Sequence, residues 1–388
     1  MKNFTVVYII TKLELGGAQK VCLALFDGLK KNNLDTYLIS GSEGILNEQV
    51  KTDKNIIFLD SLKREISFKT VFLEIKNFFL LIKELRKIKK YNPNLIVHTH
   101  STKAGIVGRW AALFAGIKNR IHTVHGYGFH EHQNIFKWFL IYIPELITGL
   151  ITTKFVCVSS YDIKTGNKLI PGFKKKYSLI RAAVDTEKFN TSLSPLVPSI
   201  LRSEAKKNVS RDGSLFIFGT VSCFKPQKNL LDLIEAFNKA YQNNNNIRLE
   251  IVGDGIMRKD LEEKIQEYRL QNVITLHGWQ NDVAKFMNSW NSFVLSSLWE
   301  GLPCAIIEAR LLKIPVLSYN TGGISDVIIN GKNGYLYPQK NWALLTEGML
   351  QISNNPDLYK QLKDFDDNLI DFNYSKMVLD HINLYKSL

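Results

Sequence analysis

Short apolar runs alternate with helix-periodic segments along most of the chain. In the first half the runs are FTVVYII, TYLIS, NIIFL, NLIVHTH, RIHTVH and KFVCVS; in the second they are SLFIFGTVS, IRLEIVG, VITLHG, SFVLSS and PVLSY. Near-continuous Val, Ile, Leu and Phe bounded by turn residues predicts strands buried on both faces. Segments such as AQKVCLALFDGLKK between them predict helices. This alternation predicts an α/β fold with parallel sheets covered by helices. Two sets of similar size in 388 residues predict two Rossmann-like domains, because a single core stops growing well before that length. TSLSPLVPS (191–199), with two prolines and three serines, reads as a linker. The division read from the sequence is a domain over 1–190, a linker over 191–213, a domain over 214–370, and a C-terminal helix over 371–388, for which packing back on the first domain is one option.

Two apolar segments stand out. IFKWFLIYIPELITGLI is broken by Lys137, Pro144 and Glu145 and is too short to span a bilayer unaided. In the stretch 61–92, Phe72, Ile75, Phe79, Ile82 and Leu85 recur at spacings of three and four, a helical apolar stripe. Lys76, Lys83, Arg86, Lys87, Lys89 and Lys90 border it. A core-facing helix would show the same stripe, so the charge matters more. Residues 1–190 hold 29 Lys and Arg against 15 Asp and Glu, whereas 191–388 hold 21 of each, so the whole net charge of +14 lies in the first half. An anionic partner on one side fits this, either nucleic acid or an anionic membrane surface; a Lys-rich surface with no partner fits as well. No nucleic-acid module is recognisable, so nucleic acid is not the expected partner. Cys22, Cys157, Cys223 and Cys304 are scattered without a CxxC, which fits a reduced, cytoplasmic compartment and neither disulfides nor structural zinc. Residues 1–25 do not read as a signal peptide.

Ligands of open parallel sheets bind beyond the carboxyl ends of the strands, so the loops there carry the candidate chemistry. After VVYII comes LELGGAQK, where Gly16 and Gly17 permit close backbone approach and the next helix offers amides to an anion; a tight turn without a ligand reads equally well. After IFGTVSC comes FKPQKN, in which Lys225 and Lys228 are point charges for a phosphate or a solvated basic turn. HTVHGYGFHEH holds four histidines, but His122 and His125 fall on opposite faces of one strand, which argues against a shared metal. His125, at a strand end before Gly126, is a candidate polar group facing a cleft. His98 and His100 share one strand face, and either faces the cleft or packs in the core.

The richest loop is SSLWEGLPCAIIEA (296–309). Glu300 and Glu308 have seven residues between them, and Pro303 is a good first-turn residue. The helix is therefore expected to start at Pro303, with Glu300 in the loop before it and Glu308 about one and a half turns inside. Two carboxylates at different depths around one helix N-terminus suit a ligand with two polar parts and an anionic group between them. A solvent-facing Glu308 is the plain alternative.

Together these motifs resemble glycosyltransferase family 4, over nearly the whole chain. The carriers are the E-x7-E pattern in SSLWEGLPCAIIEA, VGDG (252–255), TGGISDVIINGKNGYLY, KPQKN and LGGAQK; HTHSTKAGIVGRWAALFAG followed by HTVHGYGFH is similar to the bacterial surface-polysaccharide members. The resemblance implies a GT-B fold, two Rossmann-like domains facing each other across a cleft, with acceptor bound by the N-terminal domain and nucleotide sugar by the C-terminal one. It implies that Glu308 binds the ribose, Glu300 the donor sugar and Lys228 the pyrophosphate, with Gly253, Leu302 and Pro303 in the same donor site. Gly17, beside Gly16, approaches the phosphate, and His125 lies beside the transferred sugar. The family retains anomeric configuration and uses no metal. The only D-x-D, in DFDD (364–367), lies in the polar tail, far from these motifs. One departure stands out: many members have arginine five residues before the motif lysine, where this chain has Cys223, and a thiol cannot replace a phosphate-clamping guanidinium. Lys225 is the candidate second charge.

The expected activity is therefore transfer of a hexosyl or N-acetylhexosaminyl group from a nucleotide sugar, UDP-linked by preference, to a hydroxyl of a lipid-linked or growing surface glycan. No cofactor is expected beyond the nucleotide sugar as co-substrate. The expected location is the inner face of the cytoplasmic membrane, peripherally bound. A sugar-nucleotide epimerase of similar fold and a non-catalytic GT-B partner subunit are the alternatives.

Overall fold

The alternation is realised as two all-parallel sheets, each in its own compact unit. The computed structural model describes residues 4–60, 62, 71–189 and 215–388, and the linker assigned to 191–213 lies outside them. One unit comprises Met1–Ala183 with Ile370–Leu388, the other Val184–Leu369.

The first unit runs β1 (Thr5–Ile9), α1 (Gly17–Lys31), β2 (Thr36–Ser40), α2 (Asn47–Val50), β3 (Ile56–Phe58), α3 (Val71–Tyr91), β4 (Leu95–His100), α4 (Thr102–Phe114), β5 (Asn119–Val124), α5 (Ile135–Ile151), β6 (Lys154–Cys157), α6 (Ser160–Leu169) and β7 (Tyr177–Leu179). Its strands lie in the order β3-β2-β1-β4-β5-β6-β7. Val7 pairs with Tyr37 on one side and Val97 on the other, so β1 and β4 adjoin at the centre. The order reverses there, which makes the β1/β4 boundary a topological switch point. Parallel crossovers are right-handed, which puts α3, α4 and α5 side by side on one face, and α4 touches both α3 and α5. Their core is Val7, Ile9, Leu85, Val97, Ala111 and their neighbours.

The second unit runs β8 (Phe216–Val221), α7 (Leu230–Asn243), β9 (Ile247–Val252), α8 (Arg258–Glu267), β10 (Ile274–Leu276), α9 (Val283–Met287), β11 (Ser292–Leu295), α10 (Cys304–Leu311), β12 (Val316–Tyr319), β13 (Gly334–Tyr337), α11 (Trp342–Asn354) and α12 (Pro356–Asp364). The order is β10-β9-β8-β11-β12-β13, with its switch point between β8 and β11. Phe218, Phe237, Leu249, Val294 and Leu317 centre its core. The last helix, α13 (Tyr374–Lys386), returns to the first unit and packs on α1; Gly28 of α1 lies against Val378.

The apolar stripe expected along α3 is not one face. Ile82 and Leu85 are buried together with Leu81 and Ile88, but Ile75 and Phe79 are exposed, at 50% and 64%; the side chain of Phe72 lies outside the description. The core-facing line of α3 is 81-82-85-88, so the more N-terminal residues of the stripe drift off it toward solvent.

Candidate active site

In the second unit the chain after β8 and the chain after β11 are tied together at the switch point. Pro226–Lys228 forms a single 3₁₀ turn ending in Asn229, whose left-handed φ of 47° swings the chain into α7. Ser296, just past β11, donates through its hydroxyl to the carbonyls of Lys228 (2.9 Å) and Asn229 (3.0 Å). The Leu298 amide donates to the Gln227 carbonyl (2.8 Å), and the Gln227 side-chain amide donates to the Trp299 carbonyl (2.6 Å). This stitching brings Lys228 Nζ to 2.5 Å from Glu300 Oε1, with both side chains mostly buried. Two residues 72 positions apart thus form one ion pair at the mouth of the sheet.

Further loops hold Glu300. Thr321 donates to the Leu298 carbonyl (3.0 Å) and the Gly323 amide to the Gly301 carbonyl (2.6 Å). Gly322 has φ +56°, and a Cβ there would stand 2.1 Å from the Glu300 carbonyl oxygen. Only glycine permits that approach. On the other side, Gly253 (φ +133°) sits against the loop after β8, where a Cβ would fall 1.9 Å from the Ser222 carbonyl. Phe224 donates to the Asp254 carbonyl (2.8 Å). The VGDG and TGG glycines therefore act by letting backbones meet.

Pro303 caps α10 with extended backbone, φ −74° and ψ 111°, and no side chain caps the helix. The helix starts one residue later than expected. Glu300 precedes it and Glu308 lies about one and a half turns in; Glu308 and Leu302 are both buried. The plain alternative, a solvent-facing Glu308, is thereby excluded. Arg310, two residues on, is fully buried and donates to Asp367 from Nε (3.0 Å) and from an Nη (2.7 Å). Asp367 also accepts from Asn333 (2.6 Å). The DFDD segment is thus far from the motifs only in sequence: folding brings its last aspartate against α10, where it neutralises a buried guanidinium. Lys225 and Cys223 are half-buried just before the 3₁₀ turn, and all four cysteines are free thiols.

In the first unit the expected groups also gather at the switch point. Gly16 caps α1, which begins at the exposed Gly17 with no side-chain cap and no acidic residue in its first turn. The hydroxyls of Thr11, after β1, and Ser101, after β4, meet at 2.5 Å. Ser101 has φ 64° and ψ 152°, a costly conformation for a residue with a Cβ, and such strain clusters at functional sites. Nothing in the sequence marked it. His125, just beyond β5, is half-buried, and its Nε2 lies 2.9 Å from Nδ1 of the fully buried His100. His98 stacks beneath His100 at 4.8 Å between ring centres and bonds to Tyr385 (2.6 Å) and Thr123 (2.7 Å). Tyr385 bonds in turn to Tyr8 (2.9 Å). Helix α13 therefore supplies the second layer behind His125, which local pattern could not reveal. His122 points to the other face and bonds to Thr99 (2.9 Å). Burial, reinforced by neighbouring histidines, holds His98 and His100 far below the ordinary imidazole value; burial, with His381 beside it, takes His125 down to about 3. These rings are neutral near pH 7. Among the described residues, no group of three or more His, Cys, Asp or Glu side chains is arranged to hold a metal ion.

Two doubly wound units of this kind make up the GT-B fold. Residues 15–188 match the family described as Glycosyltransferase Family 4, and residues 202–368 match Glycosyl transferases group 1. An Escherichia coli UDP-Gal:alpha-D-GlcNAc-diphosphoundecaprenol alpha-1,3-galactosyltransferase is 31% identical over 96% of this chain and 94% of its own. The Staphylococcus aureus capsular polysaccharide biosynthesis glycosyltransferase CapM is 25% identical over 92% of this chain and 90% of its own. In fold, Anabaena HepE, solved with UDP and glucose, superposes with a TM-score of 0.80 over 99% of this chain and 100% of its own, at 17% identity. The chain belongs to glycosyltransferase family 4 and is a glycosyltransferase.

Proposed function

We propose that the protein moves a sugar, with retention of anomeric configuration, from a UDP-sugar to a hydroxyl of a lipid-linked or growing surface glycan. The observation that carries this reading is the Lys228–Glu300 pair at the β8/β11 switch point, beside the helix that carries Glu308. In this reading Lys228, aided by Lys225 in place of the family arginine, meets the diphosphate. Its ammonium, with the positive N-terminal end of α10, stabilises the negative charge that develops as the diphosphate departs. Glu308 accepts from the ribose diol and Glu300 from the donor sugar. The first unit contributes the amides at Gly16 and Gly17 and the neutral imidazole of His125, which accepts or donates one hydrogen bond at the transferred sugar. The E. coli relative's donor and lipid diphosphate acceptor support the choice of UDP and of a lipid-linked acceptor. In this reading a lipid-linked acceptor is met peripherally at an anionic membrane surface, on its cytoplasmic side.

The test is a panel of nucleotide sugars screened by thermal shift, since a ligand that binds only the native state raises its stability. The stabilising donors are then assayed with a GlcNAc-diphospholipid. Stabilisation by UDP-sugars with transfer to the lipid supports the reading. Conversion of the UDP-sugar to an epimer without any acceptor would identify an epimerase instead, and no affinity for any nucleotide sugar would identify a non-catalytic subunit.

A further inference from the structure

Helix α5 is turned inside out. Phe136, Leu140, Ile143, Ile147 and Leu150 recur at alternating spacings of four and three and are 46–77% exposed. Ile135 and Phe139, exposed too, fill the same face, and at 100° per residue all seven lie within an arc of about 140°. The buried side of the helix is the polar one: Glu145, Thr148 and Gly149. Glu145 accepts two hydrogen bonds from an Nη of Arg109 in α4, at 2.8 and 2.9 Å, and Arg109 also donates to the Gly105 carbonyl (2.7 Å) and Thr152 (2.8 Å). Thr148 accepts from Trp110 (2.9 Å). A surface helix in water normally shows the reverse pattern. An apolar face of seven large side chains exceeds the scattered hydrophobics of a soluble monomer and marks an interaction surface.

The rim of this face is basic. Lys137 is exposed on α5 itself. Lys176 donates to the carbonyls of Gly149 (3.0 Å) and Leu150 (3.2 Å) at the C-terminal end of the helix, and its chain neighbours Lys174 and Lys175 are exposed. Arg120 donates to the Ile151 carbonyl (2.7 Å). We propose that α5 is the membrane-docking element: it lies in the plane of an anionic leaflet, its apolar face in the headgroup–acyl boundary and its lysine rim among the lipid phosphates. An apolar face with a Lys-rich border is the signature of an interfacial helix, and each such lysine near an anionic surface adds attraction. The α5 spacing also suits a self-associating helix. Pairing two copies through one face, however, would set each lysine rim close to its equivalent, which disfavours a second copy as occupant. Among the described residues no helix is long and apolar enough to cross a membrane, and 17 residues at about 1.5 Å each fall short of the core, so α5 lies on the leaflet. This proposal rests on the peripheral-membrane part of the reading above and names α5, rather than the lysine-bordered α3, as the element that meets the leaflet.

The experiment is co-sedimentation of the full chain with vesicles of phosphatidylcholine alone or with phosphatidylglycerol added, over a salt series. The wild type is expected to partition onto the anionic vesicles, less so as salt rises. The triple variant Phe136→Ser, Leu140→Ser, Ile147→Ser, with its native circular dichroism and thermal midpoint checked, is expected to lose tenfold or more of that partitioning. Should the triple variant not fold, Phe139→Trp supplies the readout: because the chain already has six tryptophans, it is compared with the wild type, and the added fluorescence is expected to be quenched by lipids brominated near the headgroup. Wild-type protein remaining in the supernatant at low salt, undiminished binding of the triple variant, or an unquenched Trp in bound protein would each overturn the proposal. So would a lipid-free wild-type dimer that the triple variant dissolves, with no vesicle binding. UDP affinity of the same preparations separates the two readings: its absence counts against the transferase site and not against α5.

Discussion

Lys228 and Glu300 form a 2.5 Å ion pair between two loops at the β8/β11 switch point, so the lysine read as the phosphate ligand is already engaged by the carboxylate read as the sugar ligand. The pair keeps the ammonium in place, and on the proposed assignment a donor phosphate would share it with Glu300. Lys228→Ala should weaken UDP binding about tenfold or more, the loss expected for a hydrogen bond to a charged group, about 1.5–3 kcal/mol. Glu300→Gln, which removes the competing charge, should hold UDP affinity within about threefold or raise it, while turnover falls. Calorimetry with UDP checks both; a tenfold loss in Glu300→Gln would contradict the assigned division of roles.

Glu308 should contribute to the nucleoside part alone. Glu308→Ala is expected to reduce affinity for UDP and for uridine by a similar factor, about tenfold, because the ribose is common to both. Wild-type UDP affinity in a folded Glu308→Ala protein would remove it from the site.

Gly253 is required by the backbone. Adding a Cβ at φ +133°, 1.9 Å from the Ser222 carbonyl, costs on the order of 1–3 kcal/mol in strain and displaces the loop that leads to Lys228. Gly253→Ala should lower the thermal midpoint by several °C, roughly 2–4 °C per kcal/mol, and weaken UDP binding. An unchanged midpoint would show that the loop yields without cost.

Acid should destabilise the first unit before the carboxylate range is reached. Burial lowers His98, His100 and His122 well below the ordinary value, and takes His125 to about 3 and His381 to about 4. Unfolded histidines take up protons near pH 6.5, so between that pH and the folded values the unfolded chain binds more protons. The stability these rings contribute is complete above about pH 6.5 and falls as pH drops toward 4, by about 1.4 kcal/mol per pH unit for each ring. Unfolding followed from pH 7.5 to 5 should show that slope, and His98→Gln should make it shallower. An unchanged slope would mean that His98 is not buried neutral.

Turnover is expected to survive EDTA, because the diphosphate charge is assigned to Lys228, Lys225 and backbone amides. A strict requirement for an added divalent ion in the lipid-acceptor assay would contradict that assignment.

The alternation of apolar runs with helical segments determined the fold class, because short runs rich in Val, Ile and Phe, bounded by turn residues and separated by helical segments, mark strands buried on both faces. The motif loops could be found for the same reason: they follow strand ends, and Gly, Pro, Lys and Glu there carry their constraints in their own chemistry. Contacts between distant segments were decided by the tertiary structure alone. That Lys228 meets Glu300, that Gly322 must admit the Glu300 carbonyl, and that Asp367 neutralises Arg310 depend on which strands are neighbours, and strand order is set by packing rather than by any residue's own preference. The same holds for α3 and α5. α3 showed an apolar helical stripe and α5 a long interrupted apolar run, but only docking in the fold decided that α3 buries Leu81 and Leu85, whereas α5 turns Glu145 inward and leaves Phe136 and Leu140 outside. Periodicity fixes which residues share a face; the neighbours decide which face is covered.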